Sequence, residues 1–462
     1  MRDFQYDDIE YLAVPLPEDI EKLKWFGDFE RARKLIDMRL AKELPEALKK
    51  RLELEKEILE RMPKSYIYSQ EEALKLMQDA LYDVTEEELK QLRDEGAAEW
   101  IFVQGQVRFK DNFLDNLLKT RPELPPRLKN PEKAEGSIRN RKLLDETMTK
   151  MKAQGGMAYY MHVQASLKFK EDAAAAGTVA KVHLPFPVEY AQIQNTKLLK
   201  ASEERAVTAP AQYPQRTVYM EAELEPGKEF SIEYELENHM PYVELDEARV
   251  SEKQPDFYLE EQAPHIRFTP YLKDLTKQVV GGEKNPLLKA KKIYEYITSH
   301  VMYSFVRPYF TITNLPEYMA SGLKGDCGIY ALLFITMCRI AGVPARWQAG
   351  LYATPYEIGC HDWAQFYIAP YGWLYADCSF GGSAYRMGAV ERWQFYFGNM
   401  DPFRIPCCSE FQHEFEPKKK FLRDDPYDNQ TGEAECEERA FLKHVDFETE
   451  QKMVEIREIP LR

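Results

Sequence analysis

The 462-residue chain contains no Cys-x-x-Cys pair, no basic stripe, no long apolar run and no internal repeat of fixed period. Each absence closes off a class of protein. Seven cysteines is an odd number, and without close pairs they disfavour both a complete disulfide framework and a zinc site. A net charge of -15, from 62 Lys+Arg against 77 Asp+Glu, removes the cationic surface that nucleic-acid binding needs. The longest mainly apolar run, 329–338, stops at Arg339, well short of the roughly 18 residues a membrane span requires. The first eight residues show no apolar segment of the secretory kind, so the expected location is the reducing cytoplasm. What is left is a chain of 44% hydrophobic and 30% charged residues, the make-up of a folded protein with no nucleic-acid or membrane partner.

The length leads us to expect about two to four domains. Residues 16–143 read as helical and charged, with helix starts at Asp28, at Ser69-Gln70-Glu71-Glu72 and at Thr85-Glu86-Glu87-Glu88, the last two in capping-box spacing. This 1–150 segment is expected to form a helical domain that packs its own core and offers a surface for a partner. The proline-rich stretch 121–131 reads as a connector. After Gly155-Gly156 the period changes to two. Met161, Val163, Ala165, Leu167 and Phe169 alternate with polar neighbours, and the same alternation returns in 218–224 and 230–236 around the turn Glu225-Pro226-Gly227-Lys228. These antiparallel strands, with 178–186, predict a β-sandwich over 151–262. From 263 to 462 helix returns, with Asn285-Pro286 as a start, followed by two strand-like segments, 362–368 and 373–378. The chain is expected to end in a charged tail. The fold class expected is α+β.

One cysteine stands apart. Cys327 opens a helix whose apolar residues (Ile329, Leu332, Leu333, Phe334, Ile335, Met337, Ile340) occur on all sides, so that helix should be buried all round, ending at Gly342 and Pro344. A thiol in the first turn meets unpaired backbone N–H groups and the positive end of the helix dipole, which favour a thiolate. Asp326 is placed to cap the helix, although its charge would oppose the thiolate if it faced the sulfur. A thiol nucleophile needs a proton acceptor, and His361 opens a strand on which His361, Trp363 and Gln365 face one way while Ala364, Phe366 and Ile368 face the apolar side. Asp377 lies in the next strand. Direct opposition of 361 and 377 centres a hairpin turn on Ala369, beside Pro370 and Gly372, and puts both side chains on one face.

These segments, Gly325-Asp326-Cys327-Gly328 to Leu333, Ala341-Gly342-Val343-Pro344-Ala345-Arg346, His361-Asp362-Trp363 and Gly372-Trp373 to Ala376-Asp377-Cys378, resemble the bacterial transglutaminase-like core of the papain-like cysteine superfamily. The resemblance covers about 270–385. It implies helices packed on an antiparallel sheet, a catalytic triad of Cys327, His361 and Asp377, and a protein or peptide substrate; no cofactor is expected, and a metal enzyme using His361 and the carboxylates would need a ligand cluster that the spacing does not supply. Gln365 stands where the family commonly has an acidic residue, and Cys378 where it often has proline. For an oxyanion or substrate-binding role the candidates are Tyr303, Trp363 and Gln365. The reaction expected is attack of the Cys327 sulfur on a peptide or carboxamide carbonyl to give a thioester. Water as second nucleophile makes a peptidase or amidase, the reading favoured. An amine makes a protein-glutamine γ-glutamyltransferase. The rival outside catalysis is an interaction module with the core as scaffold.

Overall fold

The computed structural model describes residues 6–130, 132–173, 175 and 177–461. Residues 1–5, on which the expectation of no secretory segment rests, and Pro131, the end of the expected connector, lie outside the described residues. The architecture is α+β: helices cover an antiparallel five-stranded sheet, and two further sheets face one another beside it. No helix among the described residues is long and apolar enough to cross a membrane.

The N-terminal helices form where the capping signals stand. The Asp28 side chain accepts the Arg31 N–H, and Ser69 and Glu72 complete a reciprocal capping box, whereas Thr85 makes only the forward bond to Glu88 N. A short hairpin, Trp100–Val103 with Gln106–Phe109, interrupts the region read as helical. These helices do not pack only among themselves. Ile36, Leu52, Ile58 and Met62 share one continuous apolar core with Phe310, Ile329 and Leu333. Arg61 reinforces the contact by donating to the carbonyls of Arg423 and Leu422 at 2.8 and 3.1 Å.

The alternating strands build two sheets over a shared core that includes Val163, Leu167, Val182, Met220 and Leu236. Their connection differs from a simple hairpin. Thr217–Glu223 pairs with Val179–Pro185, while Glu229–Pro241 pairs with Gly156–Phe169, so the Glu225–Lys228 turn carries the chain from one sheet to the other. The C-terminal segment was expected to be a charged tail and is instead structured. Phe447–Ile459 runs antiparallel to Gly156–Phe169, and Glu433–Glu435 pairs with Val179–Pro185. Its dense Glu, Lys and Arg obscure the strand in sequence because they occupy the wet faces of an edge strand, where charge discourages further pairing.

The third sheet has the order Phe397–Gly398, Gly372–Ala376, Ile358–Ile368, Ala345–Ala353, Arg404–Cys408, antiparallel throughout. Against it lies Cys327–Ile340, with residues 328–339 all buried as the absence of a polar face predicts. Phe334 meets Phe366 edge to face at 5.7 Å. The helix ends at Gly342, whose φ of +78° suits glycine and lets Val343 N bond back to Cys338 O at 2.8 Å.

Candidate active site around Cys327

Cys327 occupies the first turn of its helix, half-buried. Asp326 caps that helix through Oδ1, which accepts Ile329 N–H at 3.3 Å and also the Tyr309 hydroxyl. Gly328 makes this possible: a Cβ there would fall 2.2 Å from the Tyr309 hydroxyl oxygen. Burial pushes the Asp326 carboxyl up to about 6 against the opposing effect of these two donors. Parallel pairing of Met302–Tyr303 with Lys324–Gly325 sets Tyr303 next to Cys327. Burial, with Cys327 and Asp326 close by, holds the Tyr303 hydroxyl protonated well past its usual range. It therefore remains a hydrogen-bond donor at neutral pH.

The thiol itself is not activated as the helix dipole alone predicts. Cys327 Sγ donates to Asp362 Oδ2 at 3.3 Å. Burial, then the charges of Asp362 and Asp326, push the thiol well above its ordinary value. The dipole contributes about half a unit charge, whereas two carboxyl groups and loss of water act directly on the sulfur. Asp362 is 4% exposed. Its Oδ1 accepts Gln430 Nε2 at 2.6 Å, and that amide also reaches the His361 carbonyl at 3.2 Å. Burial and the neighbouring Asp326 raise the Asp362 carboxyl well above its ordinary value.

His361 and Asp377 meet, as the face argument requires. His361 Nε2 lies 2.7 Å from Asp377 Oδ2. The hairpin register differs from the expected one: Ile368 opposes Gly372 and Ala364 opposes Ala376, which centres the turn on Pro370 and places Asp377 across from Trp363. A two-residue offset in pairing preserves the face, so the side chains still converge. The strand stops at Ala376, and Asp377 caps a helix, Cys378–Arg386, where a continuing strand was expected. Asp377 Oδ1 accepts Ser379 N, Ser379 Oγ and Phe380 N at 3.1, 2.9 and 2.9 Å. Arg404 Nη1 donates to Oδ2 at 2.9 Å. Burial opposes ionisation of Asp377, but His361, Arg404 and the Phe380 N–H outweigh it and hold the carboxyl far below its usual range. Burial lowers the His361 imidazole, with Asp377 acting in the other direction.

Two pairs are thus assembled, Cys327 with Asp362 and His361 with Asp377. Among the described residues the thiol makes no hydrogen bond to His361. Strand alternation explains this: Asp362 is in phase with Ala364 and Phe366, which face the helix, and His361 with Trp363 and Gln365, which face away. Trp363, stacked on His361 at 6.1 Å, gives its indole N–H to Gln348 Oε1 at 2.6 Å. Gln365 is fully buried, its Oε1 held by Arg346 Nε at 3.0 Å and Tyr190 at 3.3 Å. Both therefore sit in the sheet rather than beside the thiol. Asp362, Gln430 and Arg404 escaped the sequence reading. Only Asp362 left a signal, since alternation puts a residue next to His361 on the helix side. All seven cysteines are free, and among the described residues no three His, Cys, Asp or Glu side chains are grouped to hold a metal.

The buried helix headed by Cys327 packs on the five-stranded antiparallel sheet. Residues 273–378 match the family described as the transglutaminase-like superfamily. An uncharacterized protein of Haemophilus influenzae is 26% identical over 137 residues, which are 25% of this chain and 37% of that protein, so the chain spans little more than a third of that relative. A structure of a Cytophaga hutchinsonii protein, provisionally described as a cysteine protease, aligns with TM-score 0.39 and 14% identity over 65% of this chain and 91% of that one. The periplasmic domain of TgpA from Pseudomonas aeruginosa aligns with TM-score 0.27 and 12% identity over 54% and 95%.

Proposed function

We propose that this chain is a cysteine-dependent enzyme that attacks a peptide or carboxamide carbonyl with Cys327 and passes through a thioester. The observation that carries the reading is the buried His361–Asp377 pair, 2.7 Å apart, attached to the residue adjoining the thiol's own acceptor. In this reading Asp377 fixes the imidazole through Nε2, which leaves Nδ1 to take the Cys327 proton and later return it to the departing amine. Because His361 faces away from the helix in this structure, the reading requires the start of its strand to shift so that the thiol exchanges Asp362 for His361 as its acceptor during turnover. Tyr303, a persistent donor beside the sulfur, is the candidate for the oxyanion. Water is the expected second nucleophile, which makes the protein a peptidase or amidase acting on a protein or peptide.

The 3.3 Å bond from Cys327 favours a second reading, in which Asp362 itself receives the thiol proton. The experiment that tests the proposal is incubation with a library of peptide and glutamine amides, followed by intact mass. Acyl-enzyme on the wild type and none on Cys327→Ala is the expected result. No adduct with any amide would overturn the enzyme reading, and an adduct on His361→Ala but not on Asp362→Ala would replace the first base by the second.

A further inference from the structure

We infer that the Phe113–Thr120 helix, although it belongs to the N-terminal region, is part of the thiol site and supplies Lys119 as the positioning cation that favours the Cys327 thiolate. The inference rests on the thiol reading above. Asn116 and Lys119 lie three residues apart, on one face of that helix. Asn116 is 2% exposed and grips the segment after Tyr303: its Oδ1 accepts Phe305 N at 2.8 Å and its Nδ2 donates to Ser304 Oγ at 3.4 Å. One turn on, Lys119 Nζ stands 4.8 Å from the Tyr303 ring centre and 5.2 Å from that of Phe305. The other side of the site is tied to the same region, because Lys324 Nζ donates to Gly96 O at 2.9 Å. Both chain segments that flank Cys327 are therefore braced by the N-terminal region.

The charges around the sulfur give Lys119 its effect. Cys327 faces Asp326 from its own helix and Asp362 from the sheet, with Asp425 and Asp377 acting on Asp362 from further out. Tyr303 and Tyr309, from the preceding loop, stay neutral. Against these carboxyls Lys119 acts in the opposite sense, lowering the thiol, and it also bears on His361 and on Glu357. Lys119 is itself exposed, so an incoming anion meets its charge at the edge of the site.

The test is alkylation of Cys327, followed by peptide mass against pH, with iodoacetamide and iodoacetate as separate probes on the full chain. Lys119→Gln should move the profile to higher pH and slow reaction at pH 7 by about threefold or more, the scale of one charge at partly exposed range. Iodoacetate should lose more than iodoacetamide, and Lys119→Arg should restore both. An unchanged profile and probe ratio in Lys119→Gln would overturn the inference, as would failure of Lys119→Arg to restore them. Asn116→Ala gives a second variant, expected to shift the profile in the same direction by loosening the brace. Alkylation reads the thiol whether or not any amide acylates it, so this result stands apart from the test of the enzyme reading.

Discussion

Arg404 donates to the same Asp377 oxygen that His361 reaches, at 2.9 Å against 2.7 Å. Arg404 is wholly buried and also forks onto Asp401, with Nη2 2.7 Å from Oδ2. One guanidinium thus compensates two buried carboxylates. Arg404→Met should destabilise the protein by about 3–5 kcal/mol, the cost of leaving buried charge unpaired. Adding Asp401→Asn should recover part of that. Arg404→Lys should not rescue it, since an ammonium lacks the planar fork. Urea titration of the three variants measures this.

Acid should weaken the fold through histidines held neutral. His265 is completely buried against Phe411 and Tyr427, and burial pushes its imidazole down to about 3. A base whose folded pKa lies below its unfolded value costs nothing above the unfolded pKa. As pH falls below about 6.5 the unfolded chain binds a proton that the native state refuses, and stability drops by about 1.4 kcal/mol per pH unit until the folded pKa is reached. His265→Phe should remove that one slope between pH 6 and 4, with a smaller effect at pH 8. The difference between wild-type and variant stability against pH isolates it. A difference that stays flat across that range would sink the assignment.

Asp362 restrains the thiol in the resting state. Asp362→Ala removes both the acceptor and its charge, so iodoacetamide should label Cys327 faster at pH 7, by about tenfold if one pKa unit is released. A slower reaction would mean instead that Asp362 assists removal of the proton, the second reading above.

The C-terminal strand closes a sheet. Phe447 is fully buried and meets Phe169 at 6.0 Å, and the strand it begins pairs along most of Gly156–Phe169. Phe447→Ala should cost about 3–5 kcal/mol. Truncation after Asp446 should uncover the long central strand and promote association between copies, visible as light scattering in the soluble fraction.

Gln430 shows why part of the site was not legible in the sequence. Its amide clamps Asp362 and the His361 backbone from a segment with no periodicity and no capping pattern, so nothing local marks it. The two-residue difference in hairpin register arose similarly. Ala369 and Pro370 are equally good turn centres by composition, and only sheet packing chooses between them. Trp363 and Gln365 share the face that alternation predicts, but that face is turned away from the helix, where Gln365 meets Tyr190 and Trp363 meets Gln348.

The elements are written in the local residue pattern: the all-apolar helix headed by Cys327, the alternating strands, the Asp28, Ser69 and Asn285 caps, and the shared face of His361 and Asp377. These depend on 3.6- and 2-residue periods and on hydrogen bonds spanning a few residues, and such short-range terms are written locally. Long-range packing sets what the thiol touches, which cation neutralises Asp377, how Lys119 comes to stand beside Tyr303, and that the charged C-terminus is a strand. Those outcomes follow from desolvation and charge pairing between segments distant in the chain, and neither exists until the helix, the sheets and the N-terminal region have packed together.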